Sequence, residues 1–81
     1  MAKVIFYGRL ADMMGRERTV AVGAGRSVAA LVGDLGADDS DFAAALAGMR
    51  VKYAVNDSIA PSSTIVTEED ELAVLPPFSG G

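Results

Sequence analysis

Eighty-one residues, 51% of them hydrophobic and 22% charged, make one small domain with enough apolar side chains for a core and no compositional bias toward disorder. Histidine and cysteine are both absent, which removes the usual general base, the usual transition-metal ligands and any disulfide, so the chain is not expected to catalyse alone or to bind a metal or other cofactor itself. The formal charge is −4 and the seven Lys and Arg are scattered, a balance that excludes nucleic acid as the expected ligand and suits a basic partner.

The opening MAKVIFYG turns to Arg9 and Asp12 before a signal-peptide core can build, and no apolar run approaches the roughly eighteen residues of a membrane span, so a cytoplasmic protein without membrane contact is expected. Residues 3–8 are β-branched and aromatic and predict a strand, with Gly8 allowing a bend at its end. Leu10, Met13 and Met14 then recur at helical spacing, giving one or two turns that Gly15 can end, and residues 17–22 predict a second strand antiparallel to the first. GAGR follows as a loop; it lacks the spacing and flanks of a phosphate loop. Ser27 is a good N-cap for a helix whose Val28, Leu31, Val32 and Leu35 form one apolar stripe, with Gly36 as its stop. Asp38, Asp39 and Asp41 suit the positive end of a further helix carrying Phe42, Ala45, Leu46 and Met49, better than they suit a metal. Residues 51–56 alternate, with Val51, Tyr53 and Val55 on one face and Lys52, Ala54 and Asn56 on a solvated one. Turns are expected at 56–58, 61–63 and 68–70, before a last strand over 71–75. The order β-α-β-α-α-β-(short β or turn)-β predicts an α+β domain, the ubiquitin-like β-grasp: a mixed sheet with its first and last strands central and the helices packed on one face.

The domain is expected over residues 1–75, followed by a flexible tail, PPFSGG, over 76–81. Pro76 and Pro77 fix φ near −65° and remove two amide donors, which stops the last strand and stiffens its exit. Fully extended, Pro76 to Gly81 reaches about 20 Å, enough to place the tip inside a partner. Ser79, Gly80 and Gly81 keep that tip slim, and its functional group is the Gly81 carboxylate, ionised at neutral pH. A frayed end and an ordinary strand stop are the plainer readings. Phe78 reads as an aromatic anchor in a partner rather than a residue folded back on the body. In the first and last strands both alternating sets are apolar, Val4/Phe6 with Ile5/Tyr7 and Leu72/Val74 with Ala73/Leu75. A sheet with one wet face should not look like this, so either a helix or loop covers the second face or Tyr7 and Leu75, joined by Ile59, form an exposed patch beside the tail. The acidic run Glu68–Glu71 is a solvated loop or, being close in sequence to the tail, a steering device toward a basic activating enzyme.

KVIFYGRLADMMG at the start, the VNDS turn, TEEDELAVLPP and the PPFSGG end together resemble the family of molybdopterin synthase small subunits, which are ubiquitin-like sulfur carriers. The resemblance spans the whole chain and departs at one turn, where the family's usual Asp-Gly-Asp is Glu68-Glu69-Asp70. It implies that a ubiquitin-activating-like adenylyltransferase uses ATP to join Gly81 to AMP. Sulfur from a persulfide donor then displaces AMP and leaves a thiocarboxylate. The carrier docks on the synthase large subunit, as a heterotetramer of two small and two large subunits, and adds sulfur to cyclic pyranopterin monophosphate. Gly80 and Gly81 would carry the chemistry, and Tyr7, Ile59, Leu75, Pro76, Pro77, Phe78 and Ser79 would face the partner. The alternatives are a ubiquitin-like protein modifier linked through Gly81 to lysines, a sulfur carrier for thiazole or another thio-metabolite, and a plain binding module with an idle tail.

Overall fold

The β-branched and aromatic start of the chain forms β1, Ala2–Phe6, which buries Ala2, Val4 and Phe6 on one side and half-buries Ile5 on the other. The computed structural model describes residues 1–77. The strand stops short of residue 8 because Gly8 takes a φ of 57° and opens helix α1, Gly8–Met14, whose Leu10 and Met14 enter the core. Gly15 ends that helix at a φ of 86°, and β2, Glu17–Val20, returns antiparallel to β1.

The GAGR segment is not all loop: β3, Arg26–Ser27, is a two-residue strand leading into α2, Val28–Asp38. Ser27 caps α2 as expected, its hydroxyl accepting the Ala30 N–H at 3.1 Å. Gly36 does not stop the helix. It lies where α2 meets α3, Ser40–Ala47, and a Cβ there would stand 3.3 Å from the Cβ of Ala43, so its smallness serves helix approach rather than termination. Asp39 caps α3, accepting the N–H groups of Asp41 and Phe42 at 3.1 Å each. Among the described residues no cluster of three or more His, Cys, Asp or Glu could hold a metal ion.

The hairpin of β4, Lys52–Val55, and β5, Ser58–Ala60, turns through Asn56 and Asp57 at φ 50° and 69°, the left-handed pair a two-residue turn demands. The β-branched run before the acidic turn supplies β6, Ile65–Val66, which pairs with β3 in a small second sheet. The last strand, β7, Glu71–Leu75, agrees with expectation to the residue. The main sheet has five strands in the order β2-β1-β7-β4-β5, with β1 and β7 parallel in its interior. Val4, Phe6, Leu72 and Val74 face α1, α2 and α3, meeting Leu10, Val28, Leu31 and Phe42 in one core. This is the expected β-grasp.

The turn over 68–70 needs no glycine. Asn56 and Asp57 are the non-glycine residues with positive φ among those described, so Glu69 sits comfortably where the family has glycine. Asp70 organises the turn instead, its carboxylate accepting from Thr67 N–H at 2.8 Å, Thr67 Oγ1 at 2.9 Å and Asn56 Nδ2 at 3.0 Å. The Thr67 backbone bond first, then the Asn56 and Thr67 side chains, hold the Asp70 carboxyl below the usual carboxylate range.

Candidate functional site

The site is built on the C-terminal end of β7. This strand pairs on one side with β1, the last partners being Phe6 and Val74, and on the other with β4, Lys52 lying opposite Leu75. Being held on both sides, β7 fixes the direction in which the chain leaves the sheet. Pro76 is half-buried and Pro77 exposed. Pro76 leans on the start of α1: a Cβ at Gly8 would come within 3.2 Å of its Cγ. Gly8 therefore has two reasons to lack a side chain, its left-handed φ and the proline ring seated against it. The sequence marks Gly8 only as a bend; its contact with Pro76 comes from the parallel β1–β7 pairing, which no local signal encodes.

Gly8→Ala should destabilise the fold by about 1 kcal/mol or more through the φ penalty alone. It should also move the amide signals of Pro76's neighbours in heteronuclear NMR spectra. A melting temperature and spectrum unchanged from wild type would show that the proline does not rest on Gly8.

The face of the sheet away from the helices is apolar at its centre. Register places Ile5 beside Ala73, Ala73 beside Ala54 and Ala54 beside Ile59, one row crossing four strands. Tyr7, still extended at φ −127° and ψ 156°, follows Phe6 and so comes alongside Leu75 in the next row. Tyr7 is 49% exposed and Ile59 68%, while Ile5, Ala73 and Leu75 are half-buried. All three helices lie on the opposite face with the core, and among the described residues Tyr7 and Ile59 stand exposed on this one, which favours the patch reading of the apolar surplus. One expectation needs correction. Ala54, assigned to a solvated face of the third strand, is only 7% exposed, because Ala73 and Ile59 flank it on neighbouring strands.

Of the residues expected to meet a partner, Tyr7, Leu75 and Pro76 come together at the end of β7, with Pro77 just beyond. Ile59 is on the same face but two strands away, about 10 Å at ordinary strand spacing. Phe78, Ser79, Gly80 and Gly81 lie outside the described residues. Ile5 and Ala73 belong with the patch, and the signal for them was the apolar alternation itself. The acidic run is separated from the tail. Glu71 begins β7 and Leu75 ends it, about 13 Å apart along the strand, so closeness in sequence does not carry Glu68–Glu71 to the tail exit.

Known proteins match this arrangement from end to end. The model of the ThiS family matches residues 4–81. The chain belongs to the ThiS family. It is a ubiquitin-like sulfur carrier in type, and it is similar to the molybdopterin synthase sulfur carrier subunit of Escherichia coli K12, with 30% identity over 81 residues, all of both chains. The crystal structure of SAMP1 from Haloferax volcanii has the same fold, with a TM-score of 0.82 at 23% identity over 99% of this chain and 98% of that one. Among the described residues no helix is long and apolar enough to cross a membrane.

Proposed function

We propose that this protein is the sulfur-carrying small subunit of a molybdopterin synthase, loaded as a thiocarboxylate on Gly81. The observation that carries the reading is the match, without a gap in coverage, to a relative named as that synthase's sulfur carrier subunit. The geometry supports it. β7 is clamped between two strands, leaves the sheet through Pro76 against Gly8, and does so beside an open apolar face able to seat a larger protein.

In this reading the chain supplies a handle and other proteins supply the catalysis. An adenylyltransferase joins the Gly81 carboxylate to the α-phosphate of ATP and releases pyrophosphate. The terminal sulfur of a donor persulfide attacks the acyl carbon, AMP leaves, and a thiol takes the remainder of the donor as a disulfide. The thiocarboxylate then donates its sulfur to cyclic pyranopterin monophosphate in the large subunit, with Phe78 and the open face holding the carrier in place and Ser79 and Gly80 threading the tip inward. The missing histidine and cysteine fit this division of labour, since every sulfur and proton relay comes from outside.

Co-expression with the activating enzyme and its sulfur donor should raise the intact mass by the replacement of one oxygen by sulfur. The loaded protein with the large subunit should convert the pterin precursor to a dithiolene. A ladder of much heavier conjugates would identify a protein modifier instead, and loading without dithiolene formation would move the carrier to thiazole or another thio-metabolite.

A further inference from the structure

The two ends of the sheet carry opposite charge. Where β1 and β7 begin stand Asp57, in the β4–β5 turn, and Glu68, Glu69, Asp70 and Glu71. The cations nearest that end are already engaged: the α-amino group lies 3.7 Å from Glu68, and Lys3 lies 4.0 Å from Glu17.

Where β7 ends stand Arg9, Arg16, Arg50 and Lys52, all exposed. Arg9 follows Gly8, the residue on which Pro76 rests. The Arg16 carbonyl accepts the Phe6 N–H at 3.0 Å, which fixes that residue to the far end of β1. Lys52 is directly opposite Leu75, and Arg50 precedes it by two residues, just before β4 begins. Among the described residues none of these four side chains forms an ion pair or a hydrogen bond. Asp12 is the acid nearest Arg9 in sequence and Glu17 the one nearest Arg16, Glu17 being shared with Lys3; Asp57, nearest Arg50 and Lys52, lies in the β4–β5 turn at the other end of the sheet. The four like charges are spread along one end of the sheet from β2 to β4, where they repel one another and favour an anionic surface facing that end. The formal −4 of the whole chain conceals them.

We infer that the tail-exit end docks on an acidic protein surface, a carboxylate-rich rim around the slot that receives the tail. This reverses the partner charge that net composition favours. An acidic partner repels the Glu68–Glu71 end and attracts the Arg9, Arg16, Arg50 and Lys52 end, so encounter brings the tail in first. The cationic end is continuous with the apolar patch at Tyr7 and Leu75, giving an interface with a greasy centre and a charged rim. The identity of the partner rests on the proposed function; the preference for carboxylates does not.

Two measurements test this. In a low-salt titration of the isotope-labelled protein with hexaglutamate, NMR shifts should concentrate at Arg9, Arg16, Arg50, Lys52 and the adjoining Tyr7, Gly8 and Val51. Equal shifts at Lys3, Arg18 and Arg26, no shifts at all, or stronger shifts at the same four cations with ATP as the probe would overturn the inference. In stopped-flow association with the synthase large subunit, Arg50→Glu/Lys52→Glu should lower the association rate about tenfold at low salt and flatten its salt dependence. An unchanged or faster rate overturns the docking inference. Failure of the wild type to bind the large subunit would instead sink the proposed function, and the hexaglutamate map would still decide the charge preference.

Discussion

Adding a single alanine after Gly81 should abolish sulfur loading while leaving the fold untouched. The reason is chemical before it is steric. In the extended protein Gly81 ends in an amide, which has no ionised oxygen to attack the α-phosphate of ATP. The new carboxylate belongs to a residue with a Cβ and sits about 3.3–3.6 Å further out. Since misplacing a reacting atom by about 1 Å can cost 100-fold, the loading rate should fall by at least that factor. The described core residues all lie at or before Val74, so stability should change by less than about 0.5 kcal/mol. Pyrophosphate release with the activating enzyme reads the first quantity and thermal denaturation the second. Loading at the wild-type rate would remove Gly81 from the chemistry, and a large loss of stability would mean that the tail is part of the folded body.

Phe42→Ala should have the largest effect on stability. Phe42 is fully buried and stands edge-on to Phe6, with ring centroids 5.7 Å apart and an interplanar angle of 89°. It is the fully buried residue of α3, and Phe6 is its receiver on β1. Truncating a buried phenylalanine costs about 3–5 kcal/mol, and the edge-to-face pair accounts for about 0.5–1.5 kcal/mol of it. Small domains hold about 5–15 kcal/mol in total, so the variant should be partly unfolded at moderate temperature. Phe42→Leu should cost less, because it keeps most of the apolar contact and loses mainly the aromatic pair. Urea denaturation of the three proteins measures both differences. A Phe42→Ala loss below about 1 kcal/mol would mean that α3 is not anchored to the sheet through this ring.

The two variants separate the molecule's tasks. The core holds β7 in register between β1 and β4, and β7 in turn aims the exit at Pro76. Charge and apolar exposure are distributed over that scaffold without entering it: the described residues include no buried charged or polar side chain.

Much of this was legible in the residues alone. The apolar stripe from Val28 to Leu35, the Ser27 cap, the turn at Asn56 and Asp57 and the limits of β7 are local properties, set by side-chain period, capping and turn chemistry over a few neighbouring positions. The apolar surplus in β1 and β7 also announced a second face that a solvated sheet would not have. Other features depended on which distant segments lie side by side. Gly36 read as a helix stop until α3 came to rest on it, and Ala54 read as solvated until Ala73 and Ile59 enclosed it. Gly8 read as a bend until Pro76 leaned on it, and Glu68–Glu71 read as neighbours of the tail until β7 carried them to the opposite end of the sheet. Periodicity over a few residues fixes the elements and the faces they offer. The parallel pairing of the first and last strands, about seventy positions apart, is a long-range choice made by burial of the whole core, and it alone decides which charges and which apolar side chains surround the exit of the chain.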